Sequence, residues 1–151
     1  IRPVQFGFNE ETARSNTFQD PTVAELPESK TQNKALAEFD EMVDRLRLAG
    51  VNVIVFDDNA KDYTPDSIFP NNWISFHASG KVVLYPMEAE NRRKERRKDI
   101  IDELRKSFNV EVVYDLSHFE DEGEFLEGTE SIVLDRMHRK AYACISSRTS
   151  P

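Results

Sequence analysis

Apolar and polar positions along the chain predict short strands, polar loops and two amphipathic helices. Apolar side chains recur three or four residues apart over residues 34–49 and 91–108, which is the spacing of one helix face. Gly50 follows the first helix and is a typical helix stop. Residues 9–31 and 57–70 are polar, contain prolines and are predicted loops. Strands are predicted at residues 4–8, 51–56, 73–77, 81–85, 110–114, 124–126, 131–135 and 140–145.

The order of hairpin, helix and strand repeats along the chain. Residues 57 and 115, 73 and 131, and 84 and 142 lie at the same 58-residue offset. A constant offset across three elements indicates a repeated supersecondary unit. A closed ring of such units needs more than the two and a fraction that this chain holds. The sequence therefore predicts an α/β fold that is part of a larger repeat array.

Both ends of the chain lead us to expect a piece of a longer protein. The sequence begins at Ile1 within a predicted strand and ends at Pro151, just after another. We therefore expect residues 1–151 to form the N-terminal portion of one domain. Its C-terminal half would be absent from this chain or supplied by a separate one.

Composition narrows the class of protein. The 28 acidic and 20 basic side chains give a net charge of −8, which disfavours nucleic acid and anionic membranes as partners. No apolar run approaches the roughly 18 residues that a spanning helix needs. The single cysteine, Cys144, builds no disulfide framework, which favours a reducing, cytoplasmic location. Because Cys144 lies in a predicted buried strand, we expect a small buried thiol.

Four polar segments are candidates for chemistry. The loop before Trp73 ends in two asparagines, which are costly to bury without a partner, although turn formation also explains them. The basic run at residues 91–98 opens a predicted helix, where the helix dipole disfavours cations, so we expect an anion nearby. That anion would be a substrate carboxylate, an acidic side chain or phosphate. Glu127 precedes Gly128, and Arg148 follows the last predicted strand.

Neither the cysteine nor the histidines form a recognisable catalytic or metal-binding pattern. His77, His118 and His138 are scattered, and no spacing among them and Cys144 suggests a metal site. We find no nucleophile–base pair in the chain and expect no catalytic residue within it.

Taken together, these segments resemble the guanidino-group modifying superfamily, also called the pentein or α/β-propeller fold. Its members include arginine deiminase, dimethylarginine dimethylaminohydrolase and the amidinotransferases. The likeness is greatest to the bacterial amidinotransferase-like or citrulline-utilisation hydrolases. The segments that carry it are IRP (1–3), FNE (8–10), DSIFPNNWISFH (66–77), VVLYPMEAENRR (82–93), FLEGTESIVLDR (125–136) and AYACISSRTS (141–150). The resemblance implies five ββαβ units in a ring, of which this chain holds about half.

The resemblance also implies roles for six residues. Glu127 matches the carboxylate that holds the substrate guanidinium, and Asp66 lies at the mouth of that site. Arg93, or its neighbour Arg92, matches an arginine that receives the substrate α-carboxylate, and Arg148 has a similar role. Asn72 stands where many relatives carry an aspartate. The nucleophilic cysteine and the general acid/base histidine are expected in the missing half, and Cys144 does not match the nucleophile's motif. The resemblance implies no metal or other cofactor.

The asparagine at position 72 bears on the substrate. A neutral amide balances a guanidinium less well than a carboxylate does, but it can donate to a carbonyl oxygen. Asn72 therefore favours a ureido substrate such as citrulline, or a guanidine that is cleaved through a ureido stage.

The predicted function is the substrate-binding half of a cysteine-dependent hydrolase acting on guanidino or ureido C–N bonds of arginine- or citrulline-like amino acids. We expect a small amino-acid substrate as partner, no nucleic acid and no membrane, with a homo-oligomer as a further option. Two alternatives stay open at this point. One is a non-catalytic amino-acid-binding domain of the same fold, and the other is an anion- or nucleic-acid-binding module that uses the basic helix.

Overall fold

The computed structural model describes residues 1–25 and 27–151, and within the 3-10 helix Pro21–Glu25 it leaves the side chain of residue 23 undescribed. The chain divides into two compact units, residues 1–69 and 70–151. Residue 26, inside the predicted loop 9–31, lies outside the described residues.

The first unit is built around one long helix, α1 (Glu28–Leu48). It begins six residues before the predicted start, because the carbonyl oxygen of Pro27 accepts hydrogen bonds from the amides of Lys30 (2.9 Å) and Thr31 (3.3 Å). Its buried face consists of Ala35, Phe39 and Val43, which follow one another at four-residue spacing.

Two strands predicted in the first unit do not form. Residues 4–8 and 51–56 are irregular, and a single parallel bridge joins Arg2 to Asp57. The backbone amides of Arg2 and Asp58 make the hydrogen bonds of this bridge, to Phe56 and Arg2 respectively, at 2.8 and 2.9 Å. The prediction of a buried strand at 51–56 is therefore wrong: Val51 and Ile54 are about half exposed. A β-branched run forms a strand only where a neighbouring strand pairs with it over several residues.

The second unit contains a three-stranded sheet of β1 (Ile74–Phe76), β2 (Lys81–Leu84) and β3 (Val112–Asp115). The predicted hairpin is confirmed, since β1 pairs antiparallel with β2, and β3 then pairs parallel with β2. Leu84 and Asp115 are paired at the carboxyl ends of β2 and β3. The apolar core against this sheet comprises Trp73, Ile74, Val82, Leu84, Met87 and Ile101.

The second predicted helix is interrupted. Residues 91–108 form α2 (Glu90–Arg93) and α3 (Lys98–Leu104), with Arg97 in an extended conformation between them. A continuous helix would place Arg92 over Arg96 and Arg93 over Arg97, and like charges four residues apart are destabilising. The break separates these pairs, so that Arg92 pairs with Glu95, Arg96 with Glu120 and Arg97 with Asp99.

The second predicted hairpin is also confirmed. After the short helix α4 (Gly128–Ser131), β4 (Ile132–Asp135) pairs antiparallel with β5 (Lys140–Ala143). All four residues of β5 are exposed, and so is Cys144. The expectation of a buried thiol is therefore wrong, because no described element covers this part of the hairpin. The predicted strand at 124–126 reduces to one bridge between Leu126 and Thr149.

The architecture is mixed α/β with small sheets and few helices, which is compatible with a pentein-type fold. The five-unit ring stays a prediction. None of the helices in the described part of the chain is both long and apolar enough to cross a membrane.

Candidate substrate-binding site

Three irregular segments run side by side in the second unit and bring distant residues together. The amide of Leu126 donates to the Pro86 carbonyl oxygen at 3.1 Å, which joins the segment after β2 to the segment before α4. On the other side, the Phe125 carbonyl oxygen accepts from the Ser150 amide at 2.8 Å. Glu127 continues this pairing by donating its amide to the Arg148 carbonyl oxygen at 3.3 Å. The segment that contains Glu127 thus lies between the segment after β2 and the segment after β5.

Glu127 is a fully buried carboxylate with one incompletely satisfied oxygen. Oε1 accepts a hydrogen bond from the backbone amide of Glu88 at 3.1 Å. Oε2 lies 3.5 Å from Nη1 of Arg148 but accepts no hydrogen bond from the described residues. Burial raises the pKa of the Glu127 carboxyl group above its ordinary value, and the charge of Arg148 opposes this rise.

Arg148 is the cation at the centre of this site. It is 5% exposed, and three carboxylates surround its guanidinium. Glu130 forms a close ion pair with it, Glu127 lies at 3.5 Å and Glu88 at 3.8 Å. The positive charge of Arg148 is therefore balanced by carboxylates of the protein itself.

Glu130 connects the site to Asn72, and sequence reasoning missed it. Nδ2 of Asn72 donates a short hydrogen bond to Glu130. Arg92 lies 3.6 Å from the same carboxylate. The clue in the sequence is the repeat: Asn72 and Glu130 are 58 positions apart, and so are Asn71 and Thr129, which hydrogen-bond at 2.5 Å. Repeat-related positions therefore contact each other directly.

Arg92 is buried together with Glu95. Its Nε and Nη2 atoms donate to the two oxygens of Glu95 at 3.0 and 3.1 Å, and both side chains are almost fully buried. The connected cluster thus contains four carboxylates, Glu88, Glu95, Glu127 and Glu130, and two guanidinium groups, Arg92 and Arg148. With all of them ionised, this cluster carries an excess of negative charge.

Arg93 borders the cluster. It donates to the carbonyl oxygens of Met87 and Glu88 at 2.9 and 3.0 Å and stacks over the Phe125 ring at 5.7 Å. Since the Glu88 amide donates to Glu127, Arg93 and Glu127 contact opposite ends of one residue. The partner that sequence reasoning missed at this position is Glu120, which lies 3.7 Å from Arg93 and binds Arg96 with both oxygens.

The prediction that the basic run stands against a helix dipole holds for Arg97 and Lys98, at the start of α3, and is wrong for Arg92 and Arg93. Arg92 and Arg93 occupy the last turn of α2, where the dipole favours cations. The anions near Arg92, Arg93 and Arg96 are the protein's own glutamates. Of the three kinds of anion considered from the sequence, the structure places acidic side chains there.

Asp66 belongs to the first unit. Its buried carboxylate accepts hydrogen bonds from Nδ2 of Asn9 at 2.6 Å and from the hydroxyl group of Thr12 at 3.5 Å. Asn9 and Asp66 come from two of the segments that carry the family resemblance, so the structure connects these segments. A role for Asp66 towards substrate stays a prediction.

Cys144 and the histidines are engaged with other partners. The sulfur atom of Cys144 lies 3.9 Å from the Ile145 carbonyl oxygen. His77 contacts the Ser75 hydroxyl group and Arg136, and its pKa is lowered by burial and by the charges of Arg136 and Lys81. Among residues 1–25 and 27–151, no group of three or more His, Cys, Asp or Glu side chains is arranged to hold a metal ion.

Gly128 is required by a close approach of two backbones beside Glu127. A Cβ atom at this position would lie well inside van der Waals contact of the Asn71 carbonyl oxygen and 3.0 Å from that of Asn72. We expect Gly128→Ala to lower the free energy of unfolding by about 1–3 kcal/mol, as overpacking does. Urea denaturation measures this. Gly7→Ala is the control, because its nearest neighbour would be 3.8 Å away. Equal stability of the two variants would contradict the close approach.

Comparison with known proteins identifies the family. The chain matches a family model described as N,N dimethylarginine dimethylhydrolase, eukaryotic, over residues 2–151. Neither the curated proteins nor the solved structures gave a match to this chain. Because the family model covers almost the whole sequence, the chain belongs to the N,N dimethylarginine dimethylhydrolase family, within the guanidino-group modifying superfamily.

Proposed function

We propose that this chain supplies the substrate-binding part of a cysteine-dependent hydrolase that acts on guanidino or ureido C–N bonds of arginine- or citrulline-like amino acids. The name of its family adds N,N-dimethylarginine to the candidate substrates. In this proposal Glu127 receives the substrate's guanidino or ureido end, while Asn72, Arg92, Arg93 and Arg148 orient the surrounding groups.

The observation that carries the proposal is the state of Glu127. A buried carboxylate oxygen without a hydrogen bond is costly, and a ligand N–H group would satisfy Oε2. The ligand that this oxygen favours is a cation, because the surrounding cluster holds more carboxylates than guanidinium groups. A guanidinium offers both a positive charge and several N–H donors in one plane.

The chemistry follows the family resemblance. A cysteine thiolate attacks the guanidino or ureido carbon, an amine or ammonia leaves with a proton, and water hydrolyses the resulting thiouronium-type intermediate. In the proposal the thiolate and the general acid/base histidine lie outside residues 1–151. The contribution of this chain is to hold the substrate carbon in place and to complement its charge.

The arginines raise a question about the substrate's other end. Arg148 and Arg92 are already paired with glutamates, and Arg93 donates to backbone carbonyl oxygens. A substrate α-carboxylate therefore has to compete with these internal acceptors. Among the three, Arg93 is the most accessible: its side chain is 28% exposed, against 3% for Arg92 and 6% for Arg148. We propose Arg93 as the first contact of the α-carboxylate.

The side-chain amide of Asn72 could donate a hydrogen bond to the oxygen of a ureido substrate. Its amide nitrogen donates to Glu130 and its carbonyl oxygen accepts from Asn71 at 2.9 Å. To donate to a ureido oxygen, Asn72 has to use its second N–H or release Glu130. The carboxylates around it favour a cation, so we propose that guanidino substrates bind more tightly than citrulline.

Calorimetric titration of the full protein with N,N-dimethylarginine, arginine and citrulline tests this proposal. We expect both guanidino compounds to bind at least about tenfold more tightly than citrulline, which corresponds to roughly 1.4 kcal/mol. Asn72→Asp should widen that ratio by adding a carboxylate. Citrulline binding more tightly than arginine, with the preference reversed by Asn72→Asp, would instead establish the ureido hypothesis.

The two alternatives differ from the proposal in the activity and binding they predict for the full protein. A non-catalytic binding domain would bind these amino acids and release no amine or ammonia. A nucleic-acid module would need accessible cations, whereas Arg92, Arg96 and Arg97 pair with Glu95, Glu120 and Asp99 respectively. This pairing supports the enzyme over the nucleic-acid module.

A further inference from the structure

The segment that contains β4 contacts the segment that contains β1 at two pairs of repeat-related positions. Before the strands, Asn72 donates to Glu130, which lies 58 residues further along the chain. After the strands, His77 contacts Arg136, which lies 59 residues further along the chain. Glu130 precedes β4 and Arg136 follows it directly, so β4 is attached to the first hairpin near both of its ends. The contact after β4 contains a histidine, which titrates near physiological pH.

The hydrogen-bond partners of His77 determine its protonation state. Nδ1 lies 3.1 Å from Nη1 of Arg136, and it accepts the hydrogen bond because a guanidinium group has donors and no acceptor. Nε2 then carries the proton and donates to the Ser75 hydroxyl group at 3.0 Å. The Ser75 oxygen atom lies 2.8 Å from the hydroxyl group of Tyr85, which is buried. Only the neutral imidazole makes both contacts, since a protonated Nδ1 has no lone pair for Arg136.

The surroundings of His77 oppose its protonation. Burial lowers the pKa of His77, and the charges of Arg136, after β4, and Lys81, at the start of β2, lower it further. A proton on Nδ1 would place a second positive charge against the guanidinium group of Arg136. Because the pKa is lower in the folded protein than in the unfolded chain, the stability that His77 contributes is fully present above the ordinary histidine pKa. It is lost as the pH falls through the lowered pKa.

The β4–β5 hairpin has little other packing to hold it at this end. All four residues of β5 are exposed, and β4 pairs with no strand other than β5 among the described residues. An isolated two-stranded hairpin is at best marginally stable in water. We propose that the contact between His77 and Arg136 is an acid-sensitive joint, which holds the end of β4 against the first hairpin at neutral pH and releases it when His77 is protonated. This joint is independent of substrate binding at Glu127.

An NMR titration of the histidine side chains of the full protein tests whether the joint forms in solution. We expect His77 to titrate below the ordinary histidine pKa, and Arg136→Met to move its titration upward by removing a cation and a donor. Arg105→Met is the control, because Arg105 is an exposed arginine that pairs with Asp102, and it should leave the titration unchanged. A His77 titration that Arg136→Met does not move, or that Arg105→Met moves equally, would overturn the proposal.

Hydrogen exchange of the backbone amides, corrected for its intrinsic pH dependence, tests the release itself. On the acid side of the His77 titration, protection of the β4 and β5 amides should fall about threefold to tenfold, as expected for the loss of one hydrogen bond, while β1 and β2 stay protected. His77→Asn should abolish this fall, because its amide oxygen accepts from Arg136 without titrating.

His138→Asn is the matched control for hydrogen exchange. His138 is the other histidine beside β4, and it pairs with Asp135 at 2.7 Å. This variant should keep the acid-dependent loss of protection seen in the wild type. Protection that is equal on both sides of the titration would contradict the joint. So would a loss that persists in His77→Asn, or one that His138→Asn abolishes, since either result would assign the titration to another group.

Discussion

Replacing Glu127 by glutamine is expected to lower kcat/KM for a guanidino substrate at least about 100-fold in the full protein. The variant keeps the size of the side chain and the acceptor for the Glu88 amide, but it loses the charge that faces the substrate cation. Loss of one partner of a buried, hydrogen-bonded charge pair costs about 2–5 kcal/mol, which corresponds to a 30- to several-thousand-fold change. Steady-state kinetics and calorimetry with N,N-dimethylarginine measure the effect.

The same substitution should not weaken the fold. Burial raises the pKa of the Glu127 carboxyl group, so its ionised form is less favourable in the folded protein than in the unfolded chain. The wild type therefore loses stability as the pH rises from the ordinary glutamate pKa through the raised one, whereas the neutral glutamine does not. Above that window we expect Glu127→Gln to be more stable by about 0.5–2 kcal/mol, a common exchange of function for stability.

Glu124→Gln is the matched control for both measurements, because Glu124 is exposed and three residues away. It should leave kinetics and stability unchanged. Full activity of the Glu127→Gln variant would show that the Glu127 carboxylate does not bind the substrate. A loss of stability with Glu127→Gln would show that the carboxylate is chiefly structural.

Arg148→Met is expected to destabilise the protein by about 3–5 kcal/mol, because it leaves Glu127 and Glu130 without their shared cation. For a chain of this length that corresponds to a fall in melting temperature of roughly 6–20 °C. Arg148→Lys should be intermediate, since a lysine keeps the charge but not the planar fork. Thermal and urea denaturation at pH 7 measure the difference.

Arg105→Met provides the comparison. Arg105 pairs with Asp102 at 3.1 Å, and both side chains are about half exposed or more. Exposed pairs of this kind contribute about 0–1 kcal/mol. If both variants lose the same small amount of stability, the internal pairing of Arg148 is not what holds the three segments together.

The hairpins and α1 were predictable from the sequence because the spacing of apolar residues within each element marks the face that it buries. The strands at 74–76 and 81–84 face the core, and α1 buries residues at helical spacing. The run at 51–56 has a strand-like composition but gains only one bridge, from Arg2. Beside the interruption between α2 and α3, Arg96 pairs with Glu120, which lies 24 residues further along the chain and is not indicated by local periodicity.

Several residues proposed for the site from the sequence lie together in the structure, but their pairing was not predicted. The family resemblance named Asn72, Arg92, Glu127 and Arg148, and the structure brings these four into one cluster. Glu130 and Glu88, which neutralise the arginines, were missed because surface glutamates are common in an acidic chain. The 58-residue repeat contained an indication, since it relates Glu130 to Asn72.

The central claim is that Oε2 of Glu127 receives the substrate's guanidinium group. A crystal structure of the full protein bound to N,N-dimethylarginine or arginine is the most direct measurement. We predict a guanidinium nitrogen about 2.7–2.9 Å from Oε2, with Arg148 still paired to Glu130. A guanidinium bound elsewhere, with Oε2 facing only Arg148 as it does without ligand, would contradict this claim.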